Sequence, residues 1–569
     1  MVEEKDEIPV WMDEAGLSTL AAGYLLPDET PKDMYKRLSK RAADLLKRHD
    51  LEEEFFKLFW NNWLCPSSPV CSNFGTERAL PISCYSAVVE DSVDAIFNSY
   101  HETAMLSKNG GGCGKYWGDV RGRGEKIKGN GSSEGIVPWL KVEDQVISSV
   151  SQGGVRRGAV ANYLSVEHPD IEEFLNIRRQ TGDESRKCRS IGFHHAVVVS
   201  DSFMNKLEEG DVKSRELWSE LLKVRVETGE PYIMFGDTAN NNKPAVFDDK
   251  KIVSSNLCCE IFLPSDKDHT FVCCLSSLNL SRYEEWKDTN AVELSIYFLE
   301  AVMEEFIQKA ENIVGLEKAV RFAQKSRALA LGVLGWHMLL QSKGLPFDSF
   351  ESMSLNNRVF KQLGEQSKQA SQKLALEYGE PEWCRGYGVR NATQMAIAPT
   401  LSNSIISGVM SEGIQPVISN IFAQKTAKGT YIRKNPYLQN LLELKGQNSL
   451  EVWTQINKDR GSVKNLKFLD DEEKELFLTA REINQFAIVR QAAQRQKYID
   501  QSQSLNLFFS TPNNTQDLEE KKKLARYIHD VHMEGWKLGV KSFYYLKTES
   551  ALKGDSIYHE DSDCKACEG

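Results

Sequence analysis

From Pro31 to Trp63 the run PKDMYKRLSKRAADLLKRHDLEEEFFKLFWNNW carries apolar residues three or four positions apart among charges. That period predicts helices, forming a supporting layer over residues 1 to about 79. Pro66, Pro69, Asn73, Gly75 and Pro81 then break the pattern, so CPSSPVCSNFGTERALPISC reads as a long irregular connection too polar for a core strand. SAVVEDSVDAIFNSYHETAML predicts a short apolar strand that passes through Asp91 into an amphipathic helix. The stretches AVANYLSV, HHAVVVSD, PYIMFGD and FVCCLSSLNLSRY read as strands among helices. Residues 292 to 380 predict long helices, SRALALGVLGWHMLLQSKG among them. QMAIAPTLSNSII predicts a strand that breaks at Pro399 ahead of a helix. REINQFAIVRQAAQRQKYIDQSQSLNLFFS predicts a helix and then a strand, and EEKKKLARYIHDVHMEGWKLG a helix leading into VKSFYYLKT. The last stretch, ALKGDSIYHEDSDCKACEG, is polar and poor in apolar residues, which predicts a mobile tail.

The length of 569 residues allows two to four domains, or one large barrel with additions. A net charge of -11 argues against general affinity for nucleic-acid backbone and leaves room for a local basic nucleotide site. The acidic N-terminus lacks a basic segment followed by an apolar one, and no apolar run reaches the length that spans a bilayer. A cytoplasmic protein with no membrane and no nucleic-acid partner is therefore expected. Its twelve cysteines should be mostly reduced there.

The candidate chemistry centres on Asn256-Leu257-Cys258-Cys259-Glu260. In an extended segment Asn256, Cys258 and Glu260 share one face and Cys259 points the other way, so an amide, a thiol and a base meet one small substrate. The plainer alternative is a buried strand whose cysteines pack as small hydrophobes. Gly110, Gly111, Gly112 and Gly114, with the Gly-, Arg- and Lys-rich run to Gly131, read equally as a phosphate-holding loop or as a flexible surface loop. Ser151-Gln152-Gly153-Gly154-Val155-Arg156-Arg157-Gly158 suggests a second loop that changes shape while holding an anion. Thr400, Ser402, Asn403 and Ser404 form a hydroxyl-rich turn that suits either an anion or a plain helix cap. Only Cys564-Lys565-Ala566-Cys567 has the form of a zinc knuckle, and in a polar tail it fits a dithiol shuttle better. The disulfide it would reduce needs two cysteines facing one pocket. Cys84 and one of Cys273 and Cys274 are the candidates.

With these motifs in this order, the chain from about Pro27 onward resembles the catalytic large subunit of class I ribonucleotide reductases. The resemblance implies an α/β fold: a ten-stranded α/β barrel made of two antiparallel halves of five parallel strands, with a central finger loop and an N-terminal helical layer. It divides the chain into 1–79 (helical region), 80–548 (barrel) and 549–569 (redox tail). It implies that Cys258 forms a thiyl radical that takes the ribose 3′ hydrogen, that Glu260 takes the 3′-hydroxyl proton and that Asn256 holds the substrate hydroxyls. Cys84 and Cys273 then supply two electrons; Cys273 rather than Cys274 fits the family pattern C-x-L-S-x-x-N. Tyr545 and Tyr544 relay a radical to Cys258 from a metal-containing small subunit, and Cys564 and Cys567 carry electrons from thioredoxin or glutaredoxin.

The family also places substrate phosphates at Ser402, Asn403 and Ser404, with Ser68 and Ser83 at the pocket mouth. It places a deoxynucleotide or ATP effector near Asp91 and Arg121 at a homodimer interface, and the loop that relays effector identity at Gln152 and Arg156. Ribonucleoside diphosphates are the implied substrates, and no metal or tightly bound cofactor is expected in this chain. Many large subunits begin with an activity-regulating nucleotide module, for which this sequence leaves no room. A cobalamin-dependent reductase of the same fold is the nearest alternative, and a non-catalytic nucleotide-binding protein with a redox-sensing tail is a more distant one.

Overall fold

A computed structural model describes residues 7–548 apart from Asn130, 153–155, 427–428 and 512–516. The N-terminal helices form as the period predicts. Helix Pro31–Leu46 starts at a capping box in which Thr30 and Asp33 exchange side-chain and backbone bonds. It packs with helix Glu52–Trp60 through Tyr35 and Phe59, and Phe55, Phe59 and Phe74 all meet the edge of Phe298 on helix Ala291–Ala310.

Five strands run parallel in sequence order: β1 (Cys84–Val88), β2 (Gly112–Tyr116), β3 (Ala159–Ser165), β4 (Phe193–Val199) and β5 (Tyr232–Phe235). A second parallel set begins with β6 (Phe271–Asn279) and β7 (Leu329–Leu334), paired at Cys274↔Leu329. It continues through single bridges, Leu331↔Met395 and Ile397↔Gln503. Backbone bonds from Tyr544 to Leu505 and from Leu507 to Tyr545 then carry it to β8 (Ser542–Phe543). The two sets close on each other antiparallel at both seams, Cys273↔Cys84 between β6 and β1 and Ile233↔Phe543 between β5 and β8. Five members on each side make the ten-stranded α/β barrel.

Three expectations change. The stretch 64–73 is not an irregular connection: Leu64–Pro66 pairs antiparallel with β6, and Ser68–Asn73 is a short buried helix. Its polarity is absorbed internally, since Ser72 donates to Ser68 O and Asn73 Nδ2 to Leu80 O. The segment 329–334 is a strand rather than part of a long helix. Its run is apolar on every side and carries no period, and a Cβ on Gly332 would lie 2.7 Å from Ala396 O, a closeness to the next barrel segment that a side chain would prevent. Gly112 and Gly114, in turn, belong to β2 and not to a phosphate loop.

Residues 421–477 form a smaller unit with its own core of Leu438, Leu442, Trp453 and Ile456 beside a hairpin, Ile421–Thr426 and Gly429–Lys434. Among the described residues no helix is long and apolar enough to cross a membrane.

Candidate active site

Between β5 and β6 the chain from Ser254 to Ser265 is buried yet forms neither helix nor strand. A buried loop must find partners for its backbone polar groups, and the barrel wall supplies them. Tyr163 donates to Asn256 O (2.7 Å), Ser504 to Cys258 O (2.7 Å), Ser542 to Cys259 O (2.9 Å) and Ser502 N to Glu260 O (2.9 Å). These strands therefore hold a finger of chain inside the barrel. Gly112 and Gly114 make its room: a Cβ on Gly114 would lie 1.8 Å from Ser255 O, and one on Gly112 would lie 2.6 Å from Leu257 Cδ2. Gly114→Ala should displace the finger, costing about 1–3 kcal/mol in thermal unfolding and most of the activity. Unchanged melting and turnover would refute this packing.

The tip is a turn, which corrects the extended geometry expected from sequence. Cys259 takes φ +63°, its N–H reaches Asn256 O at 3.4 Å, and Asn256 Oδ1 accepts from the N–H groups of both Glu260 and Ile261 at 3.1 Å. The asparagine side chain thus folds the tip as an Asx-type turn, and the three side chains converge by curvature rather than by strand alternation. Asn256 Nδ2 and Glu260 Oε1 are buried without a hydrogen-bond partner among the described residues. Such groups cost free energy unless a ligand completes them. Burial pushes the Glu260 carboxyl up to about 7, against the Asn256 carboxamide and the Ser504 hydroxyl at 3.2 Å. A carboxyl poised there accepts or returns a proton near neutral pH.

Cys84 and Cys273 are direct partners across the seam of the two half-barrels, both buried. The ten described cysteines form no disulfide among themselves. Burial, with Cys84, Cys274 and Glu260 nearby, holds the Cys273 thiol far above its ordinary range, while Gln501 opposes the rise. Cys274 is raised by burial and by Glu300 on helix Ala291–Ala310, in keeping with strand alternation that turns the two neighbours to different sides. Cys564 and Cys567 lie outside the described residues.

On the other side of the finger, Cys258, Cys259 and Leu257 share an apolar cluster with Tyr163, Tyr232 and Tyr544, and Tyr545 packs on its edge. The ring centroids of Tyr544 and Tyr545 are 4.3 Å apart, and Tyr232 lies 4.6 and 5.1 Å from them. Arg225 donates to Tyr544 O at 3.0 Å, and Tyr545 Oη lies 3.4 Å from His194 Nδ1, itself 2.6 Å from Glu230.

Family models match this architecture throughout: a ribonucleotide reductase all-alpha domain over residues 11–79, and a ribonucleotide reductase barrel domain over 82–212, 208–384 and 382–546. The chain belongs to the ribonucleotide reductase family. The ribonucleoside-diphosphate reductase large subunit of Invertebrate iridescent virus 3 is 32% identical, with 98% of each chain covered. That of Danio rerio is 29% identical over 94% of this chain and 75% of its own. The solved class Id ribonucleotide reductase alpha subunit of Actinobacillus ureae is 41% identical, with a TM-score of 0.87 over 95% of this chain and 98% of its own. This reductase is accordingly an oxidoreductase of the ribonucleoside-diphosphate large-subunit type, and class I membership implies nucleotide substrates and a radical from a separate small subunit.

The remaining expected residues fall into two groups. Ser402, Asn403 and Ser404 sit buried in helix Leu401–Ile406, after Thr400 at φ +56°, and Asn403 Oδ1 has no hydrogen-bond partner among the described residues. Ser407 at its end accepts from Asn62 Nδ2 and lies 2.8 Å from Cys65 Sγ, which ties it to the stretch carrying Ser68. Because the half-barrels are antiparallel, Ser83 before the start of β1 lies at the same end of the barrel as the end of segment 395–397. Past the other end of β1, Asp91 and Arg121 form a half-exposed ion pair at 2.7 Å. The backbones of Gln152 and Arg156 pair in a short hairpin.

Sequence reading missed Tyr232, Gln501, Ser504 and Ser542. PYIMFGD and DQSQS look like ordinary strand ends, and only the long-range pairing of β5 with β8 and of Gln503 with Ile397 brings them to the finger. Glu260 carries its own prediction. Its proton is held more tightly in the fold than in an unfolded chain, so the stability it contributes is full below about 4.5 and lost as pH rises through about 7. Glu260→Gln cannot ionise and should out-melt the wild type progressively across that window, by about 3 kcal/mol at pH 8, while losing most turnover. Equal melting of the two proteins at pH 5 and pH 8 would count against the buried carboxylate.

Proposed function

We propose that the reductase removes the ribose 2′-hydroxyl by radical chemistry at the fingertip. The Cys258 thiyl takes the 3′ hydrogen, becoming a thiol, while Asn256 holds the hydroxyls and Glu260 accepts the 3′-hydroxyl proton. The 2′-hydroxyl then leaves as water. Cys84 and Cys273 give up two electrons and two protons and become a disulfide, one proton leaving in the water and one hydrogen going to C2′, and Cys258 returns its hydrogen to C3′ as Glu260 returns its proton to the 3′ oxygen. The observation that carries this reading is the placement of Cys84 opposite Cys273, with Glu260 within electrostatic reach and Cys258 two residues away on the same turn. Substrate phosphates belong at Ser402, Asn403 and Ser404, with Ser68 and Ser83 at the mouth.

Radical entry runs from Tyr545 through Tyr544 to Cys258. Support comes from the ring contacts and from a groove of about 1310 Å³ between helices Val212–Thr228 and Leu518–Lys537, lined by Trp218, Leu222, Val226, Leu524, Ile528 and Met533. The groove adjoins the relay because Arg225 and Val226 bond the chain at Tyr544 and Thr548. We assign it to the small subunit. Exposed Val93, Phe97 and Val142 on helices Val93–Lys108 and Val137–Ser149 suit a second copy of this chain, with effector nucleotides held near Asp91 and Arg121 and sensed through Gln152 and Arg156. The chain then divides into 1–79, 80–548 and 549–569 and works in the cytoplasm.

Cys564 and Cys567 carry electrons from thioredoxin or glutaredoxin to the buried pair. Truncation after Gly554 should leave one burst of product from pre-reduced enzyme and then stop with thioredoxin, while a small dithiol restores cycling. Sustained cycling of the truncated chain with thioredoxin would remove the shuttle from the account.

A further inference from the structure

Gln501 is completely buried, and its carboxamide touches four groups from separate parts of the barrel. Oε1 accepts from Phe262 N at 3.2 Å, just beyond the fingertip. Nε2 donates to Leu329 O at 2.9 Å on β7 and to Thr393 Oγ1 at 3.0 Å, and reaches Cys273 Sγ at 3.5 Å. Two N–H groups face three acceptors. One acceptor has a second donor, since Thr393 Oγ1 also donates to Leu329 O at 3.0 Å. The amide can therefore give an N–H to the sulfur without stranding that carbonyl.

We propose that Gln501 is the hydrogen-bond donor that receives the Cys273 thiolate when the Cys84–Cys273 disulfide is reopened. The inference rests on the reading of these two cysteines as the redox pair. An external thiolate attacks Cys84 Sγ, a mixed disulfide forms there, and the electron pair of the broken S–S bond goes to Cys273 Sγ. The second thiol of the reductant then gives its proton to Cys273, attacks the mixed disulfide and releases Cys84, which takes a proton from water. Two electrons and two protons have entered, and the reductant leaves as a disulfide.

The groups that act on the Cys273 sulfur mostly oppose a leaving thiolate there. Cys84 across the seam, Cys274 beside it in sequence and Glu260 from the fingertip all disfavour negative charge at its sulfur, as does burial, and the Gln501 amide opposes them. A donor lost here makes the sulfur a poorer leaving group. The second sulfur, Cys84, has the Ser83 hydroxyl at 3.9 Å.

The test uses the full-length chain with its small subunit, carrying Cys564→Ser and Cys567→Ser so that the disulfide stays where it forms. After a single turnover, reopening by dithiothreitol is followed against pH for Gln501, Gln501→Glu and Gln501→Met. Loss of one hydrogen bond to a charged atom should slow reopening about tenfold or more in both variants and move the pH profile upward, with the first turnover retained. Unchanged rates and profile in either variant would overturn the proposal. So would loss of the first turnover in both with the fold intact, since the amide would then serve the forward chemistry. If the Gln501 chain itself accumulates no Cys84–Cys273 disulfide, the fault lies in the redox reading beneath it.

Discussion

Cys258→Ala leaves no measurable reduction of a ribonucleoside diphosphate, a loss of at least ~10⁴-fold, while substrate binds nearly as tightly as before. The backbone of the fingertip does not depend on the sulfur: Ser504 bonds the carbonyl of Cys258, and Asn256 Oδ1 and Tyr163 hold the turn around it. Alanine therefore keeps the turn and removes only the atom that carries the radical. Cys259→Ala is the matched control. It removes a thiol one residue away that is buried against Tyr163, and alanine accepts the positive φ no worse than cysteine does. Its turnover should stay within a few-fold of the wild type, with a stability loss of about 1 kcal/mol. Equal losses in the two variants would mean that the tip has collapsed and that the sulfur of Cys258 has no special place.

Tyr544→Phe and Tyr545→Phe should each keep the barrel and lose all but about one part in a thousand of the turnover supported by the small subunit. Phenylalanine preserves the tilted ring contact at 4.3 Å and the contacts with Tyr232, so packing changes little. What disappears is the hydroxyl whose hydrogen must leave when the ring is oxidised. Tyr544 is buried, and its backbone carbonyl is fixed by Arg225, so the loss should appear in turnover with melting almost unaffected. Either variant turning over at near wild-type rate would break the relay.

Much of this site is legible in the chain because its chemistry is local in sequence. Asn256, Cys258 and Glu260 lie within five residues, and Tyr544 and Tyr545 are adjacent. The strands AVANYLSV, HHAVVVSD and PYIMFGD carry dense apolar runs and form where expected. What stays illegible depends on distance. LALGVL has no period to separate strand from helix, and its long-range pairing with β6 on one side and with segment 395–397 on the other decides it. The glycines of β2 resemble a phosphate loop until the finger occupies the space they leave. The tip looks extended because the bond that curls it comes from the Asn256 side chain rather than from a glycine or proline.

The pairing of Cys84 with Cys273 in turnover is tested most directly by a thiol map after one turnover. The chain truncated after Gly554 would be pre-reduced, given its small subunit and one ribonucleoside diphosphate, quenched with an alkylating reagent and digested. One Cys84–Cys273 crosslink is expected for each deoxynucleotide formed, with Cys258, Cys259 and Cys274 recovered as alkylated thiols. Product formed without that crosslink, or a crosslink through Cys258 or Cys274, would contradict that pairing.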